Sequence, residues 1–280
     1  MVRRWKLPIL ATALAAGTML VMAGTASAAT TGHGTTLSRP GVAVHLFRPG
    51  GVMTGRHVVG RDGRFTEAES TNWSGYAATG ANGHFTSVSA TWTQPTATCT
   101  SGGGGHHGRG SDSYAAFWVG LDGYSSDSVE QTGSDSDCNG TTPDYYGWYE
   151  MYPADPVYYT NTVRPGDAMS ASVTFSGTET YTLVLKDATQ GWTQTKSINE
   201  SGFDRSSAEV ITEAPSSNTG VLPLSDFGTI NYGSSTANGT LLGSQSPTEI
   251  IMINNSGEDK DTTSSINSSG GFSNTWVRSS

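Results

Sequence analysis

The chain has 280 residues, with 24 Asp and Glu against 15 Lys and Arg, and only 14% of its side chains carry charge. An acidic, sparsely charged chain lacks the electropositive surface that a nucleic-acid partner requires, which argues against that class. Two cysteines, 36 glycines and abundant Ser and Thr suit an exported β-protein with polar strand faces.

The first element is a leader. Arg3, Arg4 and Lys6 precede an apolar run from Leu7 to Ala23, and Ala26-Ser27-Ala28 fits the small-residue cleavage rule, so residues 1–28 read as a secretory signal peptide. The run falls short of the ~20 residues a spanning helix needs. A secreted, extracellular protein with no membrane anchor is therefore expected. Residues 29–69 differ in character from the remainder of the chain, carrying Arg39, Arg48, Arg56, Arg61 and Arg64 with His33, His45 and His57, and read as a propeptide. After Glu69 the chain holds 7 Lys and Arg against 21 Asp and Glu, a balance of −14. A basic pro-segment before an acidic domain points to electrostatic docking, a zymogen whose own propeptide is a partner.

Residues 70–280 are expected to form one domain. Ser87 to Thr93 alternates Val88, Ala90 and Trp92 with polar residues, the pattern of a half-buried strand ended at Pro95. Thr100 to Ser113 is Gly-rich and reads as a loop, and its His106 and His107 lack ligand partners at useful spacing, so neither a metal nor a cofactor is expected. Cys99 and Cys138, an even pair in an exported chain, are expected to form a disulfide. Closing the 39 residues between them stabilises a fold by roughly 4 kcal/mol in the chain-entropy account.

Tyr114 to Tyr152 carries the chemistry. In AAFWVGLDG, Trp118, Gly120 and Asp122 share one strand face; in SVEQTG, Val129 and Gln131 oppose Glu130; an acidic, Cys-containing loop comes next; and in GWYEMYP, Trp148, Glu150 and Tyr152 share a face. Aromatic rings interleaved with polar groups describe a cleft wall rather than a core. Beyond it, DAMSASVTF, YTLVLKDA, GWTQTKSI, AEVITEA, GTINY, TEIIMIN and FSNTWVR are short strands separated by turn residues. Many short strands without a helical period predict an all-β sandwich or jelly roll.

The chain has neither a GxSxG elbow nor an HExxH helix, and its QTG and NTG triplets lack the aspartate of pepsin-like enzymes. One carboxyl and one amide remain. A cleft glutamate can activate water and then protonate the leaving nitrogen, while a glutamine amide donates to the oxyanion. Gln131 and Glu209 are the candidate pair, with Glu213 on the same face ranked second because it adjoins Ala214-Pro215 at the strand end.

The blocks NWSGY, VSATWTQP, FWVGLDG, EQTG, WYEMYP, VRPGD, SAEVITEAP and LPLSDFGTINY, in that order, resemble those of the glutamic peptidases (eqolisins), here in a bacterial-type secreted form. The resemblance implies a concanavalin-A-like β-sandwich of two antiparallel sheets and an acid-active endopeptidase. Gln131 and Glu209 would be its catalytic pair, with Trp118, Asp122, Trp148, Glu150 and Tyr152 lining or supporting the cleft. It also implies protein or peptide substrates, a monomer and no cofactor. Glu130 stands where the family usually has an apolar residue, and Met151 where Trp is common. The rival reading is a carbohydrate-active sandwich, glycosidase or lectin, since fold alone does not fix function. A retaining glycosidase would need a carboxylate pair such as Glu130 with Glu150, or Glu150 with Glu209.

Overall fold

Burial alternates with period 2 along Ser87–Thr93, Ala168–Ser176, Thr180–Asp187 and Trp192–Asn199, whereas Trp73–Thr79, Ala116–Leu121, Val129–Asn139 and Ser207–Glu213 are buried on both faces over nearly their whole length. The structure, a computed structural model, describes residues 58–59, 66–100 and 110–280. The signal peptide, most of the expected propeptide and the His106-His107 loop lie outside the described residues.

Among the described residues fourteen strands have five or more residues: β1 Thr66–Ser70, β2 Trp73–Thr79, β3 Ser87–Thr93, β4 Ala116–Leu121, β5 Val129–Asn139, β6 Thr142–Tyr152, β7 Ala168–Ser176, β8 Thr180–Asp187, β9 Trp192–Asn199, β10 Ser207–Glu213, β11 Thr229–Ala237, β12 Thr248–Ile253, β13 Asp259–Thr263 and β14 Phe272–Trp276. They pair into two layers. One runs β6-β5-β4-β10-β2-β12-β1 and the other β9-β8-β7-β3-β11-β14-β13, and β13 also pairs with β12 to join them along one edge. All these ladders are antiparallel except β1 on β12, which is parallel with Glu67 opposite Glu249. The all-β sandwich read from the sequence is the fold found.

Between the layers lies the main core. Tyr76, Phe117, Val119, Leu121 and Val210 of the first layer meet Val88, Ala90, Trp92, Val173, Leu183, Leu185 and Ile230 of the second, all buried. A second apolar cluster occupies the outer face of the first layer, where Trp73, Ala77, Ala116, Trp118, Val129, Tyr146, Trp148 and Ile211 pack together. That outer face is the wall on which the candidate residues stand. The disulfide Cys99–Cys138 is formed and ties the chain before the Gly-rich loop to the far end of β5.

One expectation is corrected. Residues 134–139, read as an acidic loop, continue β5 as far as Asn139, paired residue for residue with β6. The acidic run was misleading because Asp135 and Asp137 are buried and hydrogen-bonded within the sheet rather than solvated. Gln131 is thus the third residue of an eleven-residue strand.

Glycine paves the wall where rings cross it. A Cβ on Gly133 would stand 2.2 Å from the Phe117 carbonyl oxygen and 2.6 Å from the Trp118 Cβ, contacts no side chain tolerates without backbone movement. We expect Gly133→Ala to cost roughly 1–3 kcal/mol, a typical overpacking penalty. In a domain of this size that lowers Tm by about 2–12 °C, measurable by circular-dichroism melts. An unchanged Tm would show that β4 and β5 are not packed this closely.

Candidate active site

Register sets the site out in rows across the outer face. Glu209 lies opposite Gly120, Gly120 opposite Gln131, and Gln131 opposite Glu150, so these residues form one row over β10, β4, β5 and β6. The next row is Ile211, Trp118, Gly133 and Trp148, and the third is Glu213, Ala116, Asp135 and Tyr146. Neighbouring strands lie about 4.8 Å apart. Side chains of adjacent rows therefore reach one another.

Gln131 is held by Glu150. Its Nε2 donates to Glu150 Oε2 at 2.5 Å, while Gln131 Oε1 and Glu150 Oε1 are buried without a hydrogen-bond partner among the described residues. Burial raises the Glu150 pKa well above the usual carboxyl range, and the nearby Glu213 carboxyl adds to the rise. Glu213, fully buried, takes Trp118 Nε1–H on Oε2 at 2.9 Å and Asn72 Nδ2–H on Oε1 at 3.3 Å. Desolvation pushes its pKa well up, and Trp118, Trp73 and Asn72 pull in the opposite direction.

The Trp118 indole connects the two groups. Its six-membered ring lies over Gly120, where a Cβ would meet it at 2.9 Å and the Gln131 Cβ at 3.2 Å, and its N–H reaches Glu213. One ring therefore spans from the Gln131 row to the Glu213 carboxylate. Trp73 packs edge-on against it, ring centroids 4.9 Å apart.

Glu209 shares the Gln131 row but has different surroundings. Neither of its oxygens has a hydrogen bond in good geometry; burial raises its pKa well above normal, the Ser207 hydroxyl and the Tyr124 backbone amide oppose this, and the charges of Asp122 and Glu130 reinforce it. Asp122 does not continue the alternation of β4. At φ 68° it leaves the strand, and its carboxylate accepts the Arg205 and Ser206 amides at 2.6 and 2.7 Å, bracing the start of β10. Trp148 is buried with its N–H on Asp135 Oδ1 at 2.5 Å, and Tyr152 is half-buried against the same cluster. Glu130, as its alternation required, faces the opposite side, where both its oxygens are buried.

Sequence reasoning missed Asn72, Asp135 and Tyr146. Asn72 was readable only as the start of a strand, since its link to Glu213 spans 141 residues. Asp135 shares the period-2 face of Gln131, a signal that holds only if the strand continues through Asp135 and Asp137. Among the described residues no three His, Cys, Asp or Glu side chains group as a metal site requires.

Gln131 and two fully buried glutamates, Glu209 and Glu213, thus stand on one aromatic wall of a β-sandwich. The model of the Peptidase A4 family matches residues 71–276, and the chain belongs to that family. Solved structures agree. Scytalido-glutamic peptidase bound to a transition-state analogue inhibitor is 26% identical over 74% of this chain and 98% of its own, with a TM-score of 0.60. SCP-B, an eqolisin in complex with the tripeptide Ala-Ile-His, is 24% identical over 74% of this chain and 98% of its own at a TM-score of 0.57. Aspergilloglutamic peptidase from Aspergillus niger, 23% identical over 59% of this chain and 99% of its own at 0.51, shares the fold. None of the curated proteins matches the sequence. The chain is a glutamic endopeptidase, which decides between the peptidase and carbohydrate readings.

The buried carboxyls fix the pH dependence of stability. Burial lifts Asp137 and Asp261 to about 7, whereas an unfolded Asp titrates near 3.9. The folded state therefore binds more protons, so their contribution is fully present below about pH 4 and is lost as pH rises toward 7. Calorimetric Tm should be highest in acid and fall across that window, and Asp261→Asn should flatten the fall. A Tm that climbs from pH 4 to 7 would contradict the assignment.

Proposed function

We propose that this protein is a secreted, acid-active endopeptidase that hydrolyses peptide bonds with Gln131 and Glu213 around an activated water. The observation that carries the choice of glutamate is the Trp118 indole, which joins the Gln131 row to Glu213, together with the charge of Glu213 felt at Glu150. The sequence ranked Glu209 first. The charges that act on it are those of Asp122, which follows β4 and braces the start of β10, and of Glu130, which faces the sandwich interior, and this supports moving the role to Glu213.

In this reading the Glu213 carboxylate takes a proton from water as the oxygen attacks the scissile carbonyl carbon. The new oxyanion accepts a hydrogen bond from the second Nε2–H of Gln131, the first being held by Glu150. Glu213 then passes its proton to the leaving nitrogen as the C–N bond breaks. A base and acid in one group works best when its pKa lies near the working pH, and the upward shift from burial supports a pH in the acid range above the usual carboxyl value. Acid also relieves repulsion among Glu150, Glu213 and Asp135, whose pKa values are all raised.

Gln131 is 1% exposed and Glu213 fully buried, so a substrate reaches them only after a rearrangement. Processing of the basic stretch before about Glu69 is the step we assign to this. Export is supported by the leader-like residues 1–28 and by the Cys99–Cys138 bond, which an oxidising compartment favours.

The test uses activated protein with denatured protein substrates from strongly acid to neutral pH. Glu213→Gln and Gln131→Ala should each lower kcat/KM by ~100-fold or more. Glu209→Gln should cost far less, and melts would show whether each variant folds. Loss of activity in Glu209→Gln with near-normal Glu213→Gln would return the role to Glu209.

A further inference from the structure

A pocket of about 540 Å³ opens beyond the Glu213 end of the outer face. Its walls join the site directly. Thr71 precedes Asn72, which holds Glu213; Leu222 donates its backbone N–H to the Pro215 carbonyl, two residues past Glu213, at 2.8 Å; and both Thr71 and Leu222 line the pocket. Polar wall groups come from Asn254 and Ser256 in the turn after β12.

The unusual lining residue is Lys260. It sits in β13 with its side chain 4% exposed, and it has neither a hydrogen bond nor an ion pair from its ammonium among the described residues. Asp259 beside it in the strand and Ser280, which also lines the pocket, make no ion pair with it among the described residues. Asp261 alternates away to Ser74 and Asn274, and Glu258 pairs with Arg278 at 2.6 Å. Burial lowers Lys260 to about 8, with Asp261 opposing, so the group stays cationic throughout the acid range. The Lys260 ammonium lines the pocket without a counterion on a side chain otherwise packed away from water, and an anion brought to it gains a charge-assisted contact.

We propose that this pocket is a carboxylate-binding subsite of the peptidase, in which Lys260 receives an acidic side chain of the substrate polypeptide a few residues from the scissile bond. The proposal rests on the peptidase reading and on the place given to Glu213. An extended substrate advances about 3.3 Å per residue along the wall, so a side chain near the cleavage point reaches the pocket. Among the described residues Lys260 is the one cationic side chain lining the pocket, in a domain whose balance is −14, so discrimination is expected to be local to one position rather than a general attraction for acidic protein.

The test is a set of internally quenched peptides, blocked at both ends, carrying Glu, Gln or Lys at each position flanking the cleaved bond. Assays run near pH 5, where a free glutamate is ionised. At one position Glu should be preferred over Gln by roughly 10-fold, the scale of a charge-assisted contact, and the gain should lie in KM. Lys260→Met should reduce that preference to within about 2-fold, with the change falling on the KM of the Glu peptide, and Lys260→Arg should retain it. Below about pH 4 the preference should fade as the substrate carboxyl takes up its proton. Calorimetric binding of the Glu and Gln peptides to Glu213→Gln protein supplies a readout without turnover. Failure of the peptidase reading would appear as no cleavage of any peptide. The subsite is overturned if no position discriminates Glu from Gln in binding or cleavage, or if Lys260→Met folds and keeps the preference. It is also overturned if the preference requires an unblocked terminal carboxylate rather than the side chain.

Discussion

The hydrogen bond from the Trp118 indole to Glu213 binds together the parts on which the site depends. It crosses from β4 to β10, the central strand of the layer, and joins residues 95 apart in sequence. For the ring to lie flat enough to reach, the positions beneath and beside it must be without side chains, and Gly120 and Gly133 supply that. Trp73 then closes the ring edge-on, and Asn72 takes the second oxygen of the carboxylate. An uncharged donor on each oxygen suits a group that must exist in both protonation states. A cationic partner would hold it ionised, which the acid role proposed for Glu213 does not allow.

Cross-strand contacts likewise separate two glutamates that local sequence makes equivalent. Glu209 and Glu213 lie four residues apart on one face of one strand, both fully buried with raised pKa values. Burial alone does not distinguish them. The difference lies in which neighbours fix the carboxylate, and those neighbours come from β4 and from Asn72 at the start of β2 rather than from β10 itself. Pairing across strands is the information a single strand cannot carry.

Features that need only local alternation were legible in the chain: the short strands of the two-layer fold, the opposition of Glu130 to Gln131, and the shared face of Trp148, Glu150 and Tyr152. Asp122 failed because the strand ends there in a positive-φ residue, and alternation says nothing beyond a strand end. The run Ser134 to Asn139 was mistaken for a loop because its carboxylates suggest solvent. In the fold, Asp135 is capped by the Trp148 indole and Asp137 by the Ala115 amide. The parallel ladder of β1 on β12 was also invisible, since Thr66 to Ser70 has no strong apolar alternation and Thr66 is its one β-branched residue.

Buried acids also link stability to pH. In most proteins carboxylates are stabilised in the folded state by cations, and acid destroys those pairs. Here 7 Lys and Arg face 21 Asp and Glu after Glu69, so few such pairs are available, and buried carboxyls find indole, amide and hydroxyl donors instead. Neutral donors leave a carboxyl free to be protonated without losing its place. The low charge content, the raised carboxyl pKa values and the indole-held glutamate are thus one property of the fold expressed at three levels. Burial raises the carboxyls of the outer face and those elsewhere in the domain in the same direction, so protonation bears on both alike.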